Sequence, residues 1–344
     1  MVKKQLSFSI LIPVYKGSLY LKQALESITR QKFPYLEIVV VDDNNPLDKD
    51  EIESTKKILN ELSHLPNSKI RYYKNNINLG SQGTIKKLAS LAKGDILFYL
   101  CQDDILLNGA LKKTNDAFFL AKDIGAVTRP FFWFDDDVSK PLRAVLPPDR
   151  QNDTILSLFE GEEAVKSIFG SVGQISGLAY RKNFIQTPFH LDIFPGHIYP
   201  FAGILKRHKC VFLKDFTVAV RIKSSQSRQI SSIYNTSPLA SWIKMFNSVY
   251  KERKYDHVRR QGINHIATHY EGLVQIKNFG PKGAVEREIK LHIKYYWPSI
   301  FQPKFWFFVF ITLLLPRRLL LPLSDTFKRV FLSKNISITT NHRR

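Results

Sequence analysis

The chain has 344 residues, 44% of them hydrophobic and 12% aromatic, and a formal net charge of +21. These values exclude a disordered or collagen-like chain and leave room for one large domain or two. Its two cysteines, Cys101 and Cys210, lie far apart in apolar surroundings. That excludes a disulfide framework and a cysteine metal site, and fits a reduced, cytosolic compartment.

Residues 1–4 lead straight into a strand pattern, without the apolar run of a secretory signal. Residues 6–13, "LSFSILIP", read as a strand, broken by Gly17, with Ser18 as the expected N-cap of a helix. Leu21, Ala24, Leu25 and Ile28 fall on one face of that helix. Residues 36–41, "LEIVVV", read as a strand covered on both faces, followed by turn chemistry at 42–46. A helix over about 48–63 carries acids early and lysines late, which suits the helix dipole. Residues 69–73 read as a strand, about 81–92 as a helix, and 96–101 as a strand. This rhythm predicts a parallel sheet with helices on both faces.

Ligands of such sheets bind beyond the carboxyl ends of the strands. Tyr15, Asp42, Asp43, Asp103 and Asp104 stand at three of those ends and are expected to share one crevice. The middle of the chain is less regular. A helix is expected over 160–171, a strand over 175–182, short strands at 211–213 and 217–222, and a helix at 201–208. Asp135, Asp136 and Asp137 read as a solvated loop and the aromatic run 131–134 as core. From 224 to about 296 the pattern is helical and basic.

Adjacent carboxylates at a strand end suit a hard divalent cation bridging to a phosphorylated ligand; a turn or helix cap is the alternative. Four stretches then resemble one family in order and spacing: 8–46 ("FSILIPVYKG" to "VVVDDNNP"), 76–80 ("NINLG"), 92–106 ("AKGDILFYLCQDDIL") and 173–182 ("GQISGLAYRK"). They resemble the family 2 glycosyltransferases over about residues 6–222. The resemblance implies an α/β GT-A (Rossmann-like) fold, with residues 1–223 as the glycosyltransferase domain. Within it, 1–106 would form the nucleotide-sugar half and 107–223 the acceptor half. Residues 224–296 would be a helical extension and 297–344 a membrane-associating tail.

It also implies a nucleotide-sugar donor, UDP-linked by preference, Mg²⁺ or Mn²⁺, and inverting transfer to a glycan or lipid-linked acceptor in surface polysaccharide assembly. Pro13, Val14 and Tyr15 would line the base pocket. Asp43 would accept a hydrogen bond from the base, with Asp42 structural or assisting. Asp103 would face the ribose and diphosphate, Asp104 would hold the metal, and Arg181 would serve the acceptor side. Cys101 replaces the first acid of the metal motif and is assigned to the core. The family's catalytic base is an acid where this chain has His197. A histidine can take a proton near neutral pH. The base is therefore His197 or Asp192, or the chain is an inactive member that binds without transferring.

The tail joins "FWFFVFITLLL" at 305–315 to Lys304, Arg317, Arg318, Lys328, Arg329, Lys334, Arg343 and Arg344, against one acid, Asp325. A spanning helix needs about 20 apolar residues, and each arginine in mid-bilayer costs roughly 2.5–3.5 kcal/mol. An in-plane anchor on an anionic, cytoplasmic membrane face is expected, with Trp297 and Trp306 at the interface. A helix pair packed on the protein's own surface is the alternative. Nucleic acid is not an expected partner, since the basic charge comes with no recognition motif and the binding edge is acidic.

Overall fold

The computed structural model describes residues 5–333 and 336, apart from 32, 35, 64–68 and 230. Residues 1–4 and the tail cations Lys334, Arg343 and Arg344 lie outside the described residues. Strands β1 (Phe8–Val14), β2 (Leu36–Asp42), β3 (Lys69–Lys74) and β4 (Ile96–Tyr99) alternate with α1 (Ser18–Thr29), α2 (Lys49–Leu62) and α3 (Gly80–Leu91). The next elements are β5 (Ile105–Leu106), α4 (Ala110–Ala117), β6 (Ile124–Thr128), β7 (Phe131–Phe134), β8 (Arg143–Val145), β9 (Thr154–Leu156) and α5 (Glu162–Ser171). They are followed by β10 (Ala179–Arg181), α6 (Ile198–Ile204), β11 (Lys209–Phe212) and β12 (Val218–Arg221).

Among the described residues, eight strands form one sheet in the order β3-β2-β1-β4-β10-β6-β11-β9. β3, β2, β1 and β4 are mutually parallel, whereas β10 runs antiparallel between β4 and β6. A second sheet has the order β5-β12-β7-β8. The near-continuous apolar runs follow from burial on both faces. Leu11, Val39, Leu97 and Tyr99 enter one core cluster, and Ile10, Ile38, Val40 and Phe98 enter the opposite one. The register pairs Val14 with Asp42 and Asp42 with Lys74, so the strand ends that carry polar side chains are level.

Ser18 is the first helical residue of α1 and not its cap. Gly17 holds the cap position, with no side-chain cap bond, and the Ser18 amide donates to Glu51 Oε2 at 3.2 Å. The expected strand over 175–182 is shortened to β10.

Helices α7 (Gln226–Gln229), α8 (Pro238–Val249), α9 (Asp256–Ala267), α10 (Gly272–Phe279) and α11 (Ala284–Tyr295) follow. Phe246 of α8 meets Phe169 of α5 edge-on at 4.7 Å, and Val258 of α9 joins the same cluster, so α8 and α9 continue the sheet's own core, whereas α10 and α11 pack in clusters of their own. Then come α12 (Pro303–Leu314), α13 (Arg317–Phe327) and a wide turn at Lys328–Leu332. α12 buries Phe305 and Val309 against Tyr270 and Leu273. Its other side exposes Phe307, Phe310 and Leu314, the last by 74%. No helix among the described residues is long and apolar enough to cross a membrane.

Candidate active site

The chain leaving β1 is tied to the turn after β4. The Tyr15 amide donates to Gln102 Oε1 at 2.8 Å, and Gln102 Nε2 donates back to the Tyr15 carbonyl at 2.8 Å. A Cβ on Gly17 would stand 1.9 Å from Gln102 Cδ, so this glycine is required by close approach and not only as a strand breaker. Tyr15 is half-buried beside the crevice, as is Pro13. Val14 differs from expectation. Its side chain is fully buried in the core, and only its carbonyl serves the site, accepting from the Asp43 amide at 2.7 Å.

Asp42 and Asp43 divide their work. Asp42 is fully buried and spent on structure: Oδ1 accepts from the Asn44 amide at 2.9 Å and Oδ2 from the Tyr72 hydroxyl at 2.8 Å. Asp43 uses one oxygen, Oδ1, to accept from Asn75 Nδ2 and the Leu79 amide, both at 2.7 Å. Asn78 Nδ2 holds the Asp43 carbonyl at 2.8 Å. Asn75 and the "NINLG" turn after it thus fix Asp43, while its Oδ2 has no partner among the described residues.

The pair after β4 is held from β12 and from the loop before β10. The Arg221 amide donates to Asp104 Oδ1 at 2.8 Å and the Ser176 hydroxyl to Oδ2 at 2.5 Å. Asp103 is less enclosed and accepts from the Ser224 hydroxyl. Burial pushes the Asp103 carboxyl above its usual range, and burial together with the Asp103 charge pushes Asp104 well above it. Ligand atoms of Cys101, Asp103 and Asp104 all lie within 4.8 Å of one another. Burial also holds the Cys101 thiol well above its usual pKa, so it stays protonated and is a poor ligand for a hard ion. The two carboxylates fit Mg²⁺ or Mn²⁺, whose charge would relieve their mutual repulsion.

Sequence reasoning missed two arginines that organise this site. Arg129 is fully buried. It donates from Nε to the Ser176 carbonyl at 2.8 Å, from Nη1 to Ser171 at 3.0 Å and from Nη2 to Gln174 at 2.7 Å. It thereby shapes the loop that brings Ser176 to Asp104. Gly177 follows at φ +86°, and a Cβ there would lie 2.8 Å from Arg129 Nε. Arg221 is clamped between the rings of Tyr20 and Phe134, 4.4 and 4.5 Å from their centroids. It donates to the Asp103 carbonyl at 3.2 Å and the Asp135 carbonyl at 2.9 Å. The available signal was a lone arginine inside an apolar run, in "AVTRPFF" and "TVAVRIK". Such a charge must find buried partners.

The remaining candidates separate. Arg181 pairs in register with Ile96, the first residue of β4, so it lies at the opposite edge of the sheet from Asp103. It donates to the Ile124 and Phe118 carbonyls at 3.0 and 3.3 Å and sits over the Phe118 ring. This is a structural clamp, and the acceptor-side expectation does not fit its position. Asp192 is half-buried on the loop before α6, which Gln82 of α3 holds through the Ile193 carbonyl at 3.1 Å. It accepts from the Tyr199 hydroxyl at 3.0 Å and from Lys244 Nζ at 3.1 Å. The Asp135–Asp137 run is not simply solvated: Asp135 pairs with Arg329 at 2.9 Å and Asp136 with Lys223.

His197 is only 5% exposed, and its Nε2 lies 3.1 Å from the Val172 carbonyl, where it donates. Burial pulls its pKa from 6.5 to about 4. The unfolded chain takes up a proton below about 6.5 that the folded ring refuses until about 4. Stability from this site is therefore complete above about pH 6.5 and lost as pH falls toward 4, by up to roughly 3 kcal/mol. Urea midpoints at pH 7 and pH 5 check this. The fall between them is expected to shrink in His197→Gln, and an equal fall in both proteins contradicts it.

A model described as Glycosyl transferase family 2 matches residues 9–164. Over 115 residues the chain is 32% identical to the GalNAc(5)-diNAcBac-PP-undecaprenol beta-1,3-glucosyltransferase of Campylobacter jejuni, covering 32% of this chain and 35% of that protein. Over 161 residues it is 30% identical to an uncharacterized glycosyltransferase of Rickettsia conorii, covering 44% of this chain and 25% of that protein. The matches thus span between a quarter and about a third of those relatives. Among solved structures, S. aureus TarS 1-349 aligns at a TM-score of 0.54 and 13% identity, over 84% of this chain and 89% of that one. The mannosyltransferase PcManGT from Pyrobaculum calidifontis, in complex with GDP-Man and Mn²⁺, aligns at 0.53 and 10%, over 94% and 88%. Residues 9–164, which carry Asp43, Asp103 and Asp104, therefore match the glycosyltransferase family 2 model, and the chain has the GT-A fold.

Proposed function

We propose that the protein is an inverting glycosyltransferase. It moves a sugar from a nucleotide donor, UDP-linked by preference, to a hydroxyl of a glycan or lipid-linked acceptor in surface polysaccharide assembly. The observation that carries this reading is the placing of Asp43 and the Asp103/Asp104 pair at the ends of β2 and β4, on either side of β1 and Tyr15. Asp43 Oδ2 is left to meet a base, and the less enclosed Asp103 faces the diphosphate. Asp103 and Asp104 would hold Mg²⁺ or Mn²⁺, which stabilises charge on the departing diphosphate. Solved relatives are complexes with UDP-GlcNAc, and with GDP-Man and Mn²⁺, which supports such a donor. The Campylobacter relative is named for a lipid-linked substrate, which supports such an acceptor.

Of the two candidates for the base, the geometry favours Asp192. It is a half-buried carboxylate held by Tyr199 and Lys244, whereas His197 is buried with Nε2 engaged. The exposed apolar side of α12 and α13, flanked by Lys304, Arg317 and Arg318, supports a peripheral anchor on an anionic, cytoplasmic membrane face.

Calorimetric titration with UDP, dTDP, GDP and CDP, with and without Mn²⁺, tests the donor site. One nucleotide is expected to bind in a metal-dependent manner. Absence of binding by all four under both conditions overturns the reading. Binding without transfer to any acceptor leaves only the inactive-member alternative.

A further inference from the structure

Where the C-terminal tail meets the β7–β8 hairpin, four cations line one cleft: Arg143, Arg228, Lys328 and Arg329. Two carboxylates share it. Asp325 pairs with Arg228 at 2.7 Å and Lys328 at 3.4 Å, and Asp135 pairs with Arg329 at 2.9 Å. Arg143 has no carboxylate within ion-pair distance among the described residues. Its guanidinium lies 4.0 Å from the Trp133 ring centroid, and its Nε is buried without a hydrogen-bond partner. Burial, with the Arg228 charge added, pulls Arg143 down to about 10, and burial with the Arg143 charge lowers Lys328. The cleft therefore holds more positive charge than its own acids neutralise. Such charge is costly to enclose unless an anion joins it.

We propose that this cleft is a second anion site, which binds a phosphate group through Arg143, Arg228 and the tail cations. Guanidinium groups match phosphate oxygens in bidentate geometry. The site is distinct from the acidic pair but mechanically joined to it. Ser224, which bonds Asp103, lies between the cleft residues Ile222 and Arg228 of α7, and the Asp135 carbonyl accepts from Arg221. The assignment rests on the glycosyltransferase reading only for what carries the phosphate: a phospho-linked acceptor or the headgroup of an anionic lipid.

The test is a titration of the full chain with inorganic pyrophosphate in EDTA, where the metal-dependent donor site is silent. The wild type is expected to bind, and Arg143→Gln to bind about tenfold more weakly. Asp325→Asn, which removes an internal competitor, is expected to bind several-fold more tightly, a change that misfolding cannot produce. No binding by the wild type, or one affinity shared by all three proteins, overturns the proposal. Pyrophosphate binding with this mutational pattern but no nucleotide binding keeps the cleft and sinks the transferase reading; the reverse result does the opposite. Co-sedimentation with phosphatidylglycerol vesicles, against phosphatidylcholine controls, separates the sources. If Arg143→Gln also loses vesicle binding, the phosphate is a headgroup. If only pyrophosphate binding weakens, it belongs to the acceptor.

Discussion

Asp103→Asn is expected to lower metal-dependent nucleotide binding by at least about 100-fold while leaving the fold intact. An asparagine carbonyl still accepts from the Ser224 hydroxyl, so the local bond survives. Burial still pushes Asp104 upward, but the removed charge ends the repulsion that adds to it, so the metal-free variant is expected to be as stable as the wild type or more so. Asp104→Asn behaves differently. Both Asp104 oxygens act as acceptors, from Arg221 and Ser176, whereas an amide offers one acceptor oxygen and turns its NH₂ toward the other donor. That variant is expected to lose about 1–3 kcal/mol of stability as well as binding. Mn²⁺ titration alongside chemical denaturation separates the two effects. If Asp103→Asn keeps its metal response, Asp104 alone holds the ion.

Arg129→Met is expected to cost about 3–5 kcal/mol, the largest stability effect of any substitution considered. The buried guanidinium satisfies carbonyls at Ser171, Gln174 and Ser176, and methionine fills the space but donates nothing. Three carbonyls then lose charge-assisted bonds in a dry interior. The loop they shape also carries Ser176 to Asp104, so nucleotide binding should fall with stability. A denaturation midpoint shifted by less than about 1 kcal/mol would mean that the loop supports itself.

The sheet was legible in the sequence where burial on two faces imposes its own composition. "SILIPV", "EIVVV" and "ILFY" cannot be much else, and their polar terminators named the crevice. The loop chemistry was less so. Gly17 looked like a strand breaker because its reason, Gln102, lies 85 positions away. The run at 175–182 looked like one strand because nothing local announces that Arg129 folds its first part into a loop. Arg181 was misplaced because its strand runs antiparallel, which carries the end of the motif to the far edge. The motif gave His197 its place in the chain but not its burial, and burial governs whether a ring can take a proton.

The pairing of Asp135 with Arg329 joins residues 194 positions apart. At about 5–20 residues per second, a ribosome needs roughly 10–40 s to make what lies between. The parallel sheet and its acidic pair can fold during that interval, but the cleft beside them cannot close. A newly made protein would hold the Asp103/Asp104 pair before it holds the tail that presses on the hairpin. The apolar, basic helices α12 and α13 emerge in the same late stretch. Completion of the cleft and the appearance of the exposed apolar face of α12 therefore belong to one moment in the protein's birth.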